Sequence, residues 1–221
     1  VEQTLSFELI NPNNYEIILE ENSFNFDDKY NEFSVDNTSS ITINNYSSIV
    51  LPENVLKLTE YAVTRFQEEI LKRTNISLNI VLAGKEDKKQ VNIYIGNPDN
   101  NSFVKERINT YDLRIDKNIR DEGYVLGIGN QGVVIGAESD AGILYGTISL
   151  KQLIFNNNND LSEKYVFLPK LQIHDWPAMK IRGIHDDIAR GQVSTTENYK
   201  EIIRFLAEFK MNTLMIYFED A

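Results

Sequence analysis

The chain has 221 residues, 42% hydrophobic and 25% charged, with a formal net charge of −11. That balance suits one or two folded domains with a real core and excludes a disordered tail. An acidic surface repels phosphate backbones, and the Lys and Arg residues form no long basic stripe, so nucleic acid is not an expected partner. No stretch approaches the ~20 apolar residues of a membrane span. Cysteine is absent, which excludes disulfides and thiolate metal sites. The opening "VEQTLSFELI" has no basic segment followed by an apolar one, so any signal peptide is expected to have been removed or never present.

In the first fifty residues, "SFNF" and "SSITINN" alternate between Asn- and Asp-rich turns and read as edge strands. A helix follows in "PENVLKLTEYAVTRFQEEILKRT". There Val55, Leu58, Ala62, Phe66 and Ile70 recur at spacings of three and four, and Pro52 suits the first turn. "SLNIVLAG", "VNIYIGN" and "TYDLRID" have strand character, and "EGYVLGIGNQGVVIGAES" reads as two strands joined by a tight turn. "SDAGILYGTISLKQLIF" predicts a second helix. Ser139 is its N-cap, and Ile143, Thr147, Leu150 and Ile154 lie on one face. The asparagine run at 156–159 and "YVFLPKLQIHDWP" read as a connection.

Past Pro177 the pattern changes. "MKIRGI" predicts a strand, "STTENYKEIIRFLAEFKM" a helix and "NTLMIYF" another strand. Ser194 with Glu197 makes a capping box, and Tyr199, Ile202, Leu206 and Phe209 form the apolar stripe. Strand, helix and buried strand make a βαβ unit, which implies a parallel pair. The first part, residues 1–174, is therefore α+β, and 175–221 begins a repeating β/α pattern.

Three groups of residues invite a functional reading. "GIGNQG", with Gly127, Gly129 and Gly132, matches a dinucleotide fingerprint. A strand follows it where that fingerprint needs a helix, so the glycines are assigned to positive φ in a hairpin turn around Asn130–Gln131. His174 and His185, with Asp175, Asp186 and Asp187, lack the spacing of a metal site and read as polar residues at strand ends. The third group is the charge cluster Arg182, Asp186, Asp187 and Arg190. Arg182 and Asp187 could form a buried pair, or the cluster could sit at the mouth of a β/α barrel. In the second case Asp186 and Asp187, at the strand end, are favoured over Arg182.

"WPAMKIRGIHDDIAR", the helix, and then "KMNTLMIYFED" resemble the opening of the catalytic barrel of glycoside hydrolase family 20, the β-N-acetylhexosaminidases. The matching residues are Arg182, Gly183, Asp187, Arg190, Lys210, Asn212 and Asp220. "VNIYIG", "GVVIGAESDAGILYGTISLKQL" and "LPKLQIHDWP" are similar to the family's accessory domain, a sheet with two helices on one face. Where the family's second barrel strand carries His-Trp-His before paired aspartates, this chain has Met215, Ile216 and Tyr217 before Phe218, Glu219 and Asp220.

The resemblance implies an α+β accessory domain over residues 1–174. It also implies that 175–221 is the first βαβ of a (β/α)8 barrel, cut short. It implies a glycosidase that removes terminal N-acetylhexosamine from glycans by substrate assistance, secreted or at the cell surface, with no cofactor or metal. Arg182 would bond sugar hydroxyls, Asp187 would organise the strand end, and Asp220 would join the network behind the acid. The family's catalytic Asp-Glu pair follows its fourth barrel strand. No catalytic residue is therefore expected here, the chain alone is expected to be inactive, and it could self-associate through the unfinished barrel. The alternatives are a family 84 or α-glucuronidase-like glycosidase with the same accessory domain, or a non-catalytic glycan-associated module. An exposed aromatic platform would favour the module, but the scattered tyrosines are expected to pack.

Overall fold

The structure is a computed structural model and describes residues 4–6, 15–18, 32–34, 40–115, 119, 121–156, 164–188 and 193–217. Two compact units divide it, Val1–Trp176 and Pro177–Ala221. The first unit runs β1 (Thr4–Ser6), β2 (Tyr15–Ile18), β3 (Glu32–Ser34), β4 (Ser40–Asn44), β5 (Ser48–Leu51), α1 (Lys57–Thr74), β6 (Asn79–Leu82) and β7 (Ile93–Gly96). Then come α2 (Ser102–Thr110), β8 (Tyr124–Gly129), β9 (Gly132–Gly136), α3 (Asp140–Asn156), β10 (Tyr165–Pro169) and β11 (Leu171–Asp175). The second unit is β12 (Gly183–Asp187), α4 (Thr196–Glu208) and β13 (Thr213–Tyr217). The mixed α+β class is as expected.

A seven-stranded sheet, in the order β2-β11-β8-β9-β7-β5-β6, organises the first unit. Pairing is antiparallel from β2 to β9 and parallel from β9 to β6, so β9 is the strand where the sense changes. Side chains of a strand alternate between faces. On β5, Ile49 and Leu51 join a core with α1 and α3, while Val50 joins a second core with Val104 and Ile108 of α2. Thus α1 and α3 share one face, as expected, and α2 covers the other.

The sequence reading did not predict α2. Asn101 caps it by accepting from the amides of Phe103 and Val104, but only Val104 and Ile108 of the helix are buried. Two apolar positions are too short a stripe for periodicity to register. The strand expected in "TYDLRID" is absent through its described part: Tyr111 and Asp112 form a turn after the helix. "YVFLPKLQIHDWP" was expected as a connection and instead holds β10 and β11, the latter between β2 and β8. Pro52 lies ahead of α1, which starts at Lys57. Ala62, Phe66 and Ile70 are buried, but Leu58 points outward. "SFNF" lies outside the described residues. Ser139 does cap α3, its hydroxyl accepting from the Gly142 amide at 3.0 Å.

The β8–β9 hairpin corrects part of the glycine assignment. Gly129 pairs with Gly132 across the Asn130–Gln131 turn, and Gly132 has φ +94°, where glycine is favoured. Gly127 and Gly129 serve another purpose: a Cβ on either would stand 2.6–2.7 Å from ring carbons of Tyr111. The Tyr111 ring lies on that glycine floor, and its hydroxyl donates to the Gly132 carbonyl at 2.8 Å.

At the other face the buried Tyr124 hydroxyl donates to Asp175 Oδ2 at 2.8 Å and lies 2.5 Å from Ser149 Oγ, joining β8, β11 and α3. Burial first, and then the neighbouring Asp175 carboxylate, raise the Tyr124 phenol well above its ordinary 10.0. Above that pH the unfolded chain loses this proton while the folded chain keeps it. Unfolding then releases a proton, so stability falls as pH rises. Tyr124→Phe removes that component, and urea unfolding from about pH 8 to about pH 11 should show a shallower alkaline loss in the variant. Equal alkaline slopes in both proteins would refute the assignment.

Candidate functional site

The second unit carries the charge cluster. β12 and β13 pair in parallel, with Gly183 opposite Thr213, His185 opposite Met215 and Asp187 opposite Tyr217. Opposed residues of a parallel pair share a face, so the register sorts the side chains into two sets. Ile184, Asp186, Leu214 and Ile216 form one set. Tyr199 of α4 donates to Asp186 Oδ2 at 3.0 Å, which identifies this as the helix side. His185, Asp187, Met215 and Tyr217 form the opposite face. The His185 and Tyr217 rings meet there edge to face, 5.9 Å apart, and all four residues are exposed.

α4 forms because Tyr199, Ile202, Leu206 and Phe209 recur at helical spacing, and each of these four is partly or fully buried. Its N-cap is Thr195, which accepts from the Asn198 amide; the expected Ser194–Glu197 box is one residue out of register. Ser194 instead accepts from the Asn198 side chain at 2.9 Å. Tyr199 holds its phenol proton above the ordinary range, from desolvation and then from its bond to Asp186. Asp186 is therefore engaged with the helix and does not face the open side.

Arg182 stands just before β12. Its Nε donates to the Lys210 carbonyl at 2.9 Å and its Nη1 to the Met179 carbonyl at 2.6 Å. Its own amide donates to Asn212 Oδ1, and its carbonyl accepts from the Asn212 and Thr213 amides. Asn212 Nδ2 reaches back to the Lys180 carbonyl at 2.7 Å. Lys210 is buried and left-handed, with φ +55°, closing the end of α4. Arg182, Lys210 and Asn212 thus brace the N-terminal ends of both strands.

Asp187 lies at the opposite end, roughly 15 Å along the strand from Arg182. The structure forms no Arg182–Asp187 pair across that distance. Side-chain bonds of Arg182 run to the Lys210 and Met179 carbonyls at the N-terminal side of β12 and β13. The strand expected in "MKIRGI" instead spans Gly183–Asp187, so Arg182 precedes it. Arg190 and Asp220 lie outside the described residues. His174 sits in β11 of the first unit, between Ile173 and Asp175. Among the described residues no group of three or more His, Cys, Asp or Glu is placed to hold a metal ion. Among them also, no helix is long and apolar enough to cross a membrane.

The open face offers a carboxylate, an imidazole and a phenol ring at a C-terminal strand end, groups able to bond and stack on a polyhydroxylated ring. A family model described as Glycosyl hydrolase family 20, domain 2, matches residues 31–176. The chain belongs to this family. A β-N-acetylhexosaminidase of Cellulomonas fimi is 32% identical over 100 residues, covering 45% of this chain and 19% of that protein. Among solved structures, a family 20 exo-β-N-acetylglucosaminidase of Vibrio harveyi, in complex with N-acetylglucosamine, aligns with TM-score 0.62 and 18% identity. That alignment covers 98% of this chain and 26% of that one. The structure named CpGH84D aligns with TM-score 0.65 and 20% identity, covering 85% of this chain and 29% of that one. The matches to this family 20 chain span about a fifth to a third of these relatives.

Replacing Arg182 by Lys keeps the charge but cannot reach two carbonyls with one planar fork. The variant should lose about 1–2 kcal/mol locally, read as faster hydrogen exchange at the Asn212 and Thr213 amides. Unchanged exchange there would rule out the brace.

Proposed function

We propose that this chain is the accessory domain and the first βαβ unit of the catalytic (β/α)8 barrel of a β-N-acetylhexosaminidase. The observation that carries the reading is the order of its parts. A family 20 domain-2 match over residues 31–176 is followed at once by a parallel strand–helix–strand unit. The boundary falls near residues 175–177, and the parent protein works outside the cell or at its surface.

The second unit supports a barrel in two ways. Among the described residues its strands present one face to α4 and leave His185, Asp187, Met215 and Tyr217 exposed on the other, as barrel strands would before the remaining strands close around them. Its apolar exposure is also high: Met179, Ile181, Val193, Ile203 and Phe205 are each more than half exposed. In the closed barrel the His185, Asp187 and Tyr217 side chains line the interior near the sugar. Asp187 organises the strand end, and Asp220 joins the hydrogen-bond network behind the acid. Arg182 holds the strands together at the far end.

The reaction is hydrolysis of a terminal N-acetylhexosamine linkage. The substrate's acetamido oxygen attacks its own anomeric carbon, an aspartate orients the amide, and a glutamic acid protonates the departing oxygen, outside the two-carboxylate displacement scheme. That pair is assigned to no residue of this chain. A family 84 glycosidase is the second reading, favoured by the TM-score of 0.65 with CpGH84D. The family 20 match to the domain itself weighs against it.

The intact parent protein should release nitrophenol from a p-nitrophenyl N-acetylglucosaminide, and the 221-residue chain alone should release none above a buffer blank. Activity in the isolated chain would refute the placement of the acid elsewhere. An intact protein inactive on hexosaminides would refute the enzyme reading.

A further inference from the structure

One surface of the first unit carries chemistry that a barrel site does not use. Along β4 and β10, Ile41, Ile43, Val166 and Leu168 enter the core, so the intervening side chains face outward. Register sets Phe167 opposite Thr42 and Tyr165 opposite Asn44. The Tyr165 and Phe167 rings meet edge to face at 5.1 Å and 63°, and they are 39% and 46% exposed. Tyr46, 74% exposed, lies two residues beyond Asn44, in a turn fixed by the bond from its amide to Asn44 Oδ1. Tyr94, Tyr111, Tyr124 and Tyr145 pack, as expected of the tyrosines, whereas Tyr46 and Tyr165 are exposed.

We propose that this face is a contact site for a neutral glycan chain. Its aromatic rings offer flat apolar surface for the C–H face of a pyranose, and the Thr42 hydroxyl and Asn44 amide lie beside them for the hydroxyl rim. No residue of this set is charged, in a chain of net charge −11, so the face suits an uncharged ligand rather than a basic one. Size points the same way. Three partly exposed rings present about 300 Å² of surface, well below the ~800 Å² per partner of a stable protein interface. That area suits two or three sugar rings. The choice of glycan as ligand rests on the proposed function; the site itself lies wholly on β4, β10 and the turn after β4.

The test is titration of the 221-residue chain with chitohexaose, and with cellohexaose as a second neutral probe. Chitohexaose should bind, and the double substitution Tyr165→Ala, Phe167→Ala should weaken binding about tenfold or more, by analogy with loss of a ring stacked on a flat ligand. Tyr46→Ala, in an exposed turn, should weaken it severalfold with the melting temperature unchanged, which guards against a misfolded double variant. Binding of cellohexaose to the same residues would broaden the ligand to neutral β-glycans and support the site. Failure of both probes to bind, or equal binding by the variants, would overturn it. A dimer seen by sedimentation and dissolved by the same substitutions would also overturn it, in favour of a second copy. Hydrolysis of the small chromogenic hexosaminide by the intact variants should be unchanged. A loss of activity in the intact wild-type protein would count against the enzyme reading and leave this binding result standing.

Discussion

Parallel strands are stable only when both faces are covered, because their crossover helices lie on the sheet and their edges and faces are otherwise apolar. The first unit meets that constraint at the point where β9 changes the sense of pairing. From β9 to β6 the sheet is parallel, and α1 and α3 cover one side of it while α2 covers the other. From β9 to β2 it is antiparallel, and of these pairs β8 and β9 are joined by a two-residue turn. The second unit, among the described residues, covers one side of its strand pair with α4 and leaves the other exposed. Among its described residues Leu206 is the fully buried apolar side chain, and a single leucine contributes about 1.5–3 kcal/mol. That is small beside the conformational entropy of ordering the segment.

The same constraint sorts the family-like residues into two ends with different work. Arg182, Lys210 and Asn212 meet at the N-terminal ends of β12 and β13, where the bonds between them run through backbone carbonyls and amides. Such bonds fix the stagger of the two strands and the turn out of α4. His185 and Asp187 lie on the open face toward the C-terminal ends, with Tyr217 beside Asp187. A parallel unit brings its chemistry to that end because the loops there are free to vary while the other end holds register. Grouping Arg182 with the aspartates by nearness in sequence therefore joined residues that the strand keeps apart.

Much of the fold was legible because the sequence obeys a period. α3 shows its stripe through Ile143, Thr147, Leu150 and Ile154, all buried, and the hairpin shows itself in glycines flanking a two-residue turn. α2 carried too few apolar positions to reveal a period, and its strongest signal was the Asn101 cap, a local feature. β10 and β11 were hidden by Pro169 at the end of the first and Lys170 between them, although Val166, Leu168, Leu171 and Ile173 alternate correctly. Tyr111 could not be placed from its neighbours at all. Its ring rests on Gly127 and Gly129, sixteen and eighteen positions onward in the sequence, a tertiary contact no local pattern encodes.

The candidate site was legible in residue type and only partly in geometry. Acidic residues at a strand end mark where ligands are met, but alternation decides which of two neighbours faces them. Asp186 and Asp187 are adjacent, so one must point to the helix and one to the open face. The helix supplies a phenol at Tyr199 that takes Asp186, and Asp187 is left opposite Tyr217. Moving the strand by one residue would exchange these roles and set the Asp186 carboxylate on the open face. The bonds of Arg182 and Asn212 oppose that slip, because each crosses from the lead-in of one strand to a carbonyl in the lead-in of the other and would break if the two shifted. The bonds at the strand starts thereby favour the register in which Asp187, not Asp186, lies on the exposed face.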